Sequence, residues 1–325
     1  MNNTNIKLSV IGAGKWGLNH IKTAYKLLGE DLISVCDINQ QCEEEVKKIS
    51  PNIEFTTDIN SILNSEQINA VIISTNAENH YPLAKGLIKR GKNILVEKPI
   101  TLNSYEAEEL MNLANEYDVK LMVGHVLLYH PAVNKIKQLI NEGLIGKIQY
   151  IYSNRLNLGS VRSEENILWS FAPHDISVIQ YLLESYPKKI YAKGACFLQP
   201  EIEDVTLTFL RYPGNINAHI FVSWLHPFKE QRMVITGIKG MIVFEDSLKT
   251  EKLKFYPKGF INVNGILKKF DQNYQAIDFP DKQPLEQEQI HFFNCILNNT
   301  KPLTDAQHAL EVLKILEEAT SKLKE

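Results

Sequence analysis

Three glycines near the N-terminus have a spacing that is typical of a ligand-binding loop. Gly12, Gly14 and Gly17 follow an apolar run and open a segment of helical period, in the order G-A-G-K-W-G. In this context the first glycine makes a tight turn, the second admits a pyrophosphate and the third lets helix and strand pack closely. The spacing predicts a dinucleotide-binding loop whose phosphates lie at the N-terminus of the helix. An ordinary glycine-rich turn is the alternative.

A single aspartate and two loop residues extend this prediction. Asp37 ends the second predicted strand, 20 residues after Gly17. A carboxylate there accepts hydrogen bonds from the adenine ribose and repels a 2′-phosphate, so it favours NAD over NADP. The alternative role for Asp37 is to cap the next helix. Lys15 and Trp16 lie inside the loop, and Trp16 either covers the cofactor or packs against the protein.

The third chemical group is Glu97-Lys98-Pro99, at the end of the fourth predicted strand. This is the edge of a doubly wound sheet at which ligands bind. A lysine next to a nicotinamide and a substrate hydroxyl lowers the pKa of that hydroxyl and holds it for hydride loss. The tripeptide alone is weak evidence, because most lysines are solvated surface charges.

Strands and helices must position these groups. Through residue 125, short β-rich runs of the type that parallel sheets bury on both faces alternate with segments of helical period, which is the pattern of βαβ units. The predicted strands are Ile6–Ile11, Leu32–Asp37, Ala70–Thr75, Asn93–Glu97 and Lys120–Val123. The predicted helices span 17–28, 40–49, 77–90 and 103–116. The pattern therefore predicts an α/β Rossmann domain, with a doubly wound parallel sheet, over residues 1–124.

After residue 147, β-rich runs follow at intervals too short for crossover helices, which predicts a mostly antiparallel sheet. The predicted strands are Ile148–Asn154, Ile190–Phe197, Val205–Arg211, Ile216–Trp224, Met233–Thr236 and Met241–Glu245. Tyr212-Pro213-Gly214-Asn215 predicts a hairpin turn between two of them. Further helices are expected at 171–184, 286–298 and 305–323. Residues 125–325 are thus expected to form a second, α+β domain.

Composition excludes several classes of function. A chain of 325 residues, 44% hydrophobic and 22% charged, is typical of a globular protein with about two domains. A net charge of −3 gives no global positive field for nucleic acid or an anionic membrane. No apolar run approaches the roughly 20 residues of a bilayer span. The N-terminus lacks the features of a secretory signal, so a cytoplasmic location is expected.

The four cysteines predict neither a zinc site nor a redox pair. Cys36, Cys42, Cys196 and Cys295 show no CxxC spacing, so buried free thiols are expected. Hydride chemistry needs proton transfer and orientation and does not call for a metal, and none is predicted.

Taken together, these motifs resemble the glucose-fructose oxidoreductase, inositol dehydrogenase and MocA family over nearly the whole chain. The matching stretches are Gly12–Gly17, Ser74-Thr75-Asn76 with His80, Glu97-Lys98-Pro99, Val123-Gly124-His125 and the helix from Pro302-Leu303 to Leu316. The resemblance implies a catalytic Lys98 and a second domain built on a large open-faced sheet. It also implies that a set of residues lines the nicotinamide side: Ser74, Thr75, Asn76, His80 and Glu97. For His80, a solvent-facing position at a helix start is an equal alternative.

The family also carries an Asp followed four residues later by a His. The histidine is His174 here, whereas Ser170 occupies the Asp position. A serine is no carboxylate base near neutral pH, so that role is lost or taken by another residue. The resemblance makes His174 the general acid/base. Without it, a capping or structural histidine is the better interpretation. Asp175, on another helix face, is interpreted as a first-turn charge.

The stretch from Asn154 to His174 resembles the branch that oxidises UDP-N-acetylglucosamine at carbon 3 and passes the 3-keto sugar to an aminotransferase. The predicted substrate-binding residues are His125, Arg155, Asn157, Arg162, Trp169 and Ser170. Arg155 and Arg162 would pair with a diphosphate through their fork-shaped donors, or they are ordinary surface arginines. Two alternatives stay open: a dehydrogenase of a free sugar or cyclitol, and a non-catalytic NAD(H)-binding sensor or scaffold. An open sheet face also predicts a homodimer or homotetramer packed through the strands of 190–245.

Overall fold

The computed structural model describes residues 6–159 and 161–323. They fold as two compact units. The first reaches Tyr129 and takes up the chain again over Lys282–Leu313, whereas the second comprises His130–Asp281 and the chain from Lys314 onward. The predicted division at residue 124 lies near the end of the first segment, but it does not include the return of Lys282–Leu313 to the first unit.

Strands and helices alternate in the first unit, as the βαβ rhythm predicts. In chain order they are β1 (Leu8–Ile11), α1 (Lys15–Leu28), β2 (Leu32–Cys36), α2 (Cys42–Ile49), β3 (Glu54–Thr56), α3 (Asn60–Leu63), β4 (Ala70–Ile73), α4 (His80–Ile88), β5 (Asn93–Glu97), α5 (Ser104–Glu116) and β6 (Leu121–Gly124). The short elements β3 and α3 have too little periodicity to show in the sequence.

The first sheet has the order β3-β2-β1-β4-β5-β6, and every pair in it is parallel. All residues of β1 and β4 are buried, as expected of central strands covered on both faces. The order reverses between these two strands. In such sheets the ligand crevice opens at the carboxyl ends of the strands beside that reversal.

The second unit is dominated by strands. In chain order its elements are α6 (Pro131–Asn141), β7 (Ile148–Leu156), α7 (Ile167–Leu183), β8 (Lys189–Ala195), β9 (Val205–Arg211), β10 (Asn217–Ser223), β11 (Glu230–Gly237), β12 (Gly240–Glu245), β13 (Leu253–Tyr256), β14 (Lys258–Val263), β15 (Ile266–Asp271) and β16 (Gln275–Ala276). The strands of its large sheet stand in the order β16-β13-β12-β11-β7-β10-β9-β8.

Only the β7–β10 pair of this sheet is parallel among the described residues, so the prediction of a mostly antiparallel sheet is confirmed. The predicted hairpin joins β9 to β10, and Gly214 adopts a φ of +70° in the turn. Helix α7 packs against β7, β9 and β10. Strands β14 and β15 pair separately as a two-stranded sheet that the sequence did not predict.

Helix α7 begins earlier than predicted. The expected start was residue 171, but the Asn166 side chain accepts a hydrogen bond from the Trp169 amide at 3.2 Å and starts the helix at Ile167. Pro173 lies inside the helix, although a proline is more usual in its first turn. Asp175 is buried in mid-helix, so its interpretation as a first-turn charge is wrong.

Two further helices, α8 (Pro284–Leu297) and α9 (Ala306–Leu323), end the described chain. Helix α8 packs against α1, and its Phe292 and Phe293 join the apolar core of the first unit. No described helix is both long and apolar enough to cross a bilayer. The expectation of four buried thiols is wrong for Cys196, which is exposed on the loop after β8, and Cys42 is only half-buried.

Candidate functional site

The glycine loop connects β1 to α1 with no room for side chains at two of its positions. Gly12 has a φ of +97°, and a Cβ on it would lie 2.4 Å from the carbonyl oxygen of Ser74. A Cβ on Gly17 would lie 2.0 Å from the carbonyl oxygen of Gly12. Both distances are far below any real contact. These two glycines therefore let β1, β4 and α1 approach each other closely.

Gly14 is different, because its surroundings are open. It is the N-cap residue of α1, no side chain caps the helix there, and a Cβ on it would meet nothing within 4 Å. Lys15 and Trp16 of the first turn are exposed. The first N–H groups of α1 thus face an open cradle, which fits an anionic pyrophosphate.

Asp37 is tied to the same loop. Its Oδ2 accepts a hydrogen bond from the Ala13 amide at 2.6 Å, and its Oδ1 accepts one from the Asn39 amide at 2.8 Å. The N-cap residue of α2 is Gln41, so the alternative of Asp37 as a helix cap is wrong. The two backbone amides hold the carboxylate at the carboxyl end of β2, where it fits the hydroxyls of a ribose.

His80 is buried and not at a solvent-facing helix start. Its Nδ1 lies 2.7 Å from the carbonyl oxygen of Pro99 and its Nε2 lies 3.1 Å from that of Thr75. Burial lowers the pKa of His80. The ring joins the Thr75–Asn76 turn after β4 to the Lys98–Pro99 turn after β5. It positions these two turns through their backbone.

The Glu97 carboxylate, next to Lys98, receives several donors. Its Oε1 accepts a hydrogen bond from the Trp16 indole at 2.5 Å and lies 2.8 Å from His20 Nε2. Its Oε2 accepts one from the Lys98 amide at 3.1 Å. Lys98 itself follows β5 directly, at the carboxyl edge that also carries the glycine loop and Asp37. The predicted residues of the cofactor half are therefore brought to one edge of one sheet.

Three residues near Glu97 escaped the sequence analysis: His20, Glu288 and Gln289. Glu97, His20 and Glu288 have ligand atoms within 4.8 Å of one another, a spacing that a metal ion also uses. However, the Gln289 amide donates to His20 Nδ1 at 3.1 Å, so Nε2 carries the ring proton and faces Glu97 as a donor. The hydrogen bonds thus already use the nitrogen that a metal would need.

His125, predicted to bind substrate, is buried after β6 in edge-on contact with His308, with ring centroids 5.5 Å apart. Burial, His308 and Lys98 hold the pKa of His125 well below its usual value. His125 is therefore a neutral imidazole near neutral pH. His308, on α9, is a further residue that sequence reasoning missed, since nothing in its spacing links it to residue 125.

In the second unit, α7 carries both His174 and Ser170, one turn apart on the same helix face. Ser170 is buried and His174 is half-buried. The Trp169 indole donates to the Thr320 hydroxyl at 2.9 Å, so part of this predicted substrate residue packs against α9. The backbone N–H of Asn157 donates a hydrogen bond to the backbone carbonyl oxygen of Ser223 at 3.1 Å.

The two predicted phosphate-binding arginines differ sharply. Arg155 forms a fork with Asp175, Nε to Oδ2 at 2.7 Å and Nη2 to Oδ1 at 3.1 Å, and both side chains are nearly buried. Ser153 donates a third hydrogen bond to Asp175 at 2.5 Å. Arg162 is exposed and pairs only loosely with Glu165, at 3.2 Å. Arg155 therefore fixes β7 against α7, whereas Arg162 presents its guanidinium to solvent.

Comparison with known proteins identifies the family. Residues 6–125 match the model of the GFO/IDH/MocA oxidoreductase family, NAD-binding Rossmann fold, and residues 133–243 match a GFO/IDH/MocA C-terminal domain. The chain belongs to this family. Its first unit is an NAD-binding Rossmann domain, and the resemblance seen in the sequence is confirmed.

Three similar proteins show the spread of the family. A 2,7-anhydro-N-acetylneuraminate hydratase of Mediterraneibacter gnavus is 26% identical over 72% of this chain, which spans 66% of that relative. A scyllo-inositol 2-dehydrogenase (NAD(+)) of Bacillus subtilis is 25% identical over 94% of this chain and 92% of its own. A UDP-N-acetylglucosamine 3-dehydrogenase of Acidithiobacillus ferrooxidans has the same fold, with a TM-score of 0.83, 21% identity, and coverage of 98% of this chain and 97% of its own.

Proposed function

We propose that this GFO/IDH/MocA chain is an NAD-dependent dehydrogenase that oxidises the carbon-3 hydroxyl of UDP-N-acetylglucosamine to the 3-keto sugar. The observation that carries the dehydrogenase assignment is the convergence of the glycine loop, Asp37 and Lys98 at the carboxyl edge of one parallel sheet. This is the edge at which doubly wound folds bind ligands.

The cofactor residues have separate tasks. The open Gly14 cradle and the N-terminus of α1 bind the pyrophosphate, Asp37 binds the adenine ribose, and the turn of Ser74, Thr75 and Asn76 lies toward the nicotinamide. Bound NAD supplies the hydride acceptor. The Asp37 carboxylate disfavours NADP, because the 2′-phosphate of NADP would be repelled by the negative charge of this carboxylate.

Lys98 and His174 are the proposed catalytic residues. The Lys98 ammonium binds the substrate hydroxyl and stabilises negative charge as its proton departs. His174 accepts that proton, for which an imidazole has a suitable pKa near neutral pH. Ser170 stands where the family places an Asp, so in this proposal the histidine acts without a carboxylate one turn before it.

The choice of sugar rests on two supports. The stretch from Asn154 to His174 resembles the UDP-N-acetylglucosamine 3-dehydrogenase branch, and one solved enzyme of that name shares the fold. Arg162 takes the larger share of the diphosphate in this proposal, because two nitrogens of Arg155 are already bound to Asp175. His125, Asn157 and Trp169 remain proposed substrate-binding residues.

A second candidate is a dehydrogenase of a free sugar or cyclitol. It is favoured by the scyllo-inositol 2-dehydrogenase of Bacillus subtilis, which aligns over 94% of this chain. The two candidates need the same cofactor end, but only the nucleotide sugar needs a diphosphate pocket. A non-catalytic NAD(H) sensor is the third candidate, favoured by the serine at position 170.

The deciding experiment measures NADH absorbance with NAD and one of four compounds: UDP-N-acetylglucosamine, UDP-glucose, free N-acetylglucosamine or myo-inositol. An aminotransferase removes the ketone, because oxidation of a secondary alcohol by NAD is uphill. We expect NADH only with UDP-N-acetylglucosamine. NADH with inositol or a free sugar would support the second candidate, and no NADH with any of the four would contradict the proposed substrate.

Lys98→Ala tests the catalytic assignment. It should abolish turnover and leave NADH affinity within about threefold of wild type, because the proposal assigns Lys98 to the substrate hydroxyl and assigns the pyrophosphate and ribose to other residues. Lys89→Ala, an exposed lysine of the same unit, is the matched control and should retain full turnover. Turnover by the Lys98 variant would refute the role of this residue.

The assembly and the cellular setting are also proposals. We place a homodimer or homotetramer interface on the strands of 190–245, where Tyr191 and Leu207 are about half exposed on the open face. A cytoplasmic location suits an enzyme that draws on NAD and UDP-sugars, with an aminotransferase consuming its product.

A further inference from the structure

A second buried carboxyl group lies beside Glu97, at Glu288 on α8. Glu97, His20 and Glu288 have polar atoms within 4.8 Å of one another, and Glu288 is fully buried. Neither Glu288 oxygen has a hydrogen-bond partner among the described residues. The proposed reaction uses none of these three side chains directly.

The donors around Glu97 show which of the two carboxyls is ionised. Trp16, His20 and the Lys98 amide all point N–H groups at Glu97. Burial alone would raise the pKa of Glu97, but the hydrogen bond and electrostatic interaction with His20, the hydrogen bond from Trp16 and the charge of Lys98 outweigh it and lower the pKa. Glu97 therefore carries a negative charge near neutral pH.

Glu288 has the opposite environment. Burial raises its pKa well above the usual value, and the neighbouring charge of Glu97 raises it further. Besides Glu97, the titratable groups next to it are His20 from α1 and Tyr129 after β6, whose pKa is raised by its own burial and by Glu288. None of them donates a hydrogen bond to Glu288 in the described structure.

Trp16 connects this carboxyl pair to the glycine loop. It is the second residue of α1, immediately after Gly14 and Lys15, and its indole is bound to Glu97. A second negative charge at Glu288 would repel Glu97 from its donors and release the indole. It would also add to the negative potential that an anionic dinucleotide meets.

We propose that Glu97 and Glu288 share one negative charge and that Glu288, kept neutral, is a positioning residue that makes dinucleotide binding depend on pH through Glu97 and Trp16. When Glu288 loses its proton, NADH affinity falls. The proposal goes beyond the choice of sugar, since it needs only the dinucleotide.

The first test follows unfolding of the protein without cofactor between pH 5 and pH 9. Since the pKa of Glu288 is raised in the folded state, its stabilising effect is complete below the unfolded pKa, near 4.3, and is lost as pH rises toward the folded pKa. Between the unfolded and the folded pKa of Glu288, the equilibrium constant for unfolding of wild type should therefore rise by nearly tenfold per pH unit more than it would without this ionisation.

Glu288→Gln removes the ionisation with almost no change in shape, so this increase should disappear. Glu286→Gln, on the same helix but paired with Lys26 at the surface, is the matched control and should keep it. Equal pH dependence in wild type and Glu288→Gln would overturn the proposal. So would a metal ion that wild type binds in equimolar amount and Glu288→Gln does not.

The second test measures NADH affinity by calorimetry over the same pH range. Wild type should lose affinity at high pH, by about tenfold over two pH units, relative to Glu288→Gln. If Glu288→Gln does not fold, Trp16→Phe provides the test: it should flatten the pH dependence of NADH affinity yet keep that of unfolding. If NADH affinity depends on pH in the same way in wild type and in these variants, the coupling between Glu288 ionisation and dinucleotide binding is overturned. This outcome does not depend on the identity of the substrate.

Discussion

Alanine at Gly14 should weaken dinucleotide binding and alanine at Gly17 should destabilise the fold, although the two glycines lie only three residues apart. A Cβ on Gly14 meets nothing within 4 Å, and its φ of −66° suits any residue. Replacement at such a position changes the free energy of unfolding by less than about 1 kcal/mol. The added methyl group, however, occupies the open cradle. We expect NADH to bind at least about tenfold more weakly, a loss of about 1.4 kcal/mol.

Gly17→Ala should instead damage the fold. Its Cβ would lie 2.0 Å from the Gly12 carbonyl oxygen, so α1 would have to move by about 1 Å or more to restore a normal contact. Overpacking of this kind costs about 1–3 kcal/mol, and a backbone obstacle places the cost near the upper end. At about 2–4 °C per kcal/mol, the melting temperature should fall by about 6–12 °C.

The two variants are compared by thermal denaturation without cofactor and by calorimetric titration with NADH. Gly14→Ala should melt like wild type and bind poorly, whereas Gly17→Ala should melt early. Wild-type NADH affinity in Gly14→Ala would refute the placement of the pyrophosphate. An unchanged melting temperature in Gly17→Ala would refute the close approach of α1 to the loop.

Two further predictions concern the second unit. Asp175→Asn leaves the nearly buried Arg155 without its charge partner. We expect the free energy of unfolding, measured by urea denaturation, to fall by about 3 kcal/mol. A decrease below about 1 kcal/mol would show that the pair contributes little to stability. Leu207→Arg, at 48% exposure on the open sheet face, should dissociate the proposed oligomer in light scattering, whereas Leu102→Arg, at 47% exposure in the first unit, should not. A monomeric wild type would contradict the proposed interface.

The cofactor half was predictable because its signals are local. The glycine loop, the first two buried strands and Asp37 all lie within the first 37 residues, and each follows from spacing or periodicity. His20, Glu288 and Gln289 were not predictable in the same way. His20 and Gln289 are 269 residues apart, and only the packing of α8 on α1 brings them together.

The second unit was harder because side-chain partners decide its details. An arginine in a sequence gives no sign of whether its fork is free or bound, so the sequence left Arg155 as either a diphosphate ligand or a surface arginine and could not predict its pairing with Asp175. The sequence also predicted a helix start at residue 171, whereas the helix begins at Ile167 after the Asn166 cap. The Arg155–Asp175 pair depends on contact between two elements, whereas the Asn166 cap is a local signal that the sequence does carry.

The return of Lys282–Leu313 to the first unit has a consequence for biosynthesis. Phe292 and Phe293 belong to the same core as Ile21 and Ala24, yet they are made long after these residues. At 5–20 residues per second, roughly 10–40 s separate the synthesis of Tyr129 from that of Leu313. During this interval the nascent Rossmann sheet lacks α8, and the apolar side of α1 is open to chaperones or to a neighbouring chain on the same messenger.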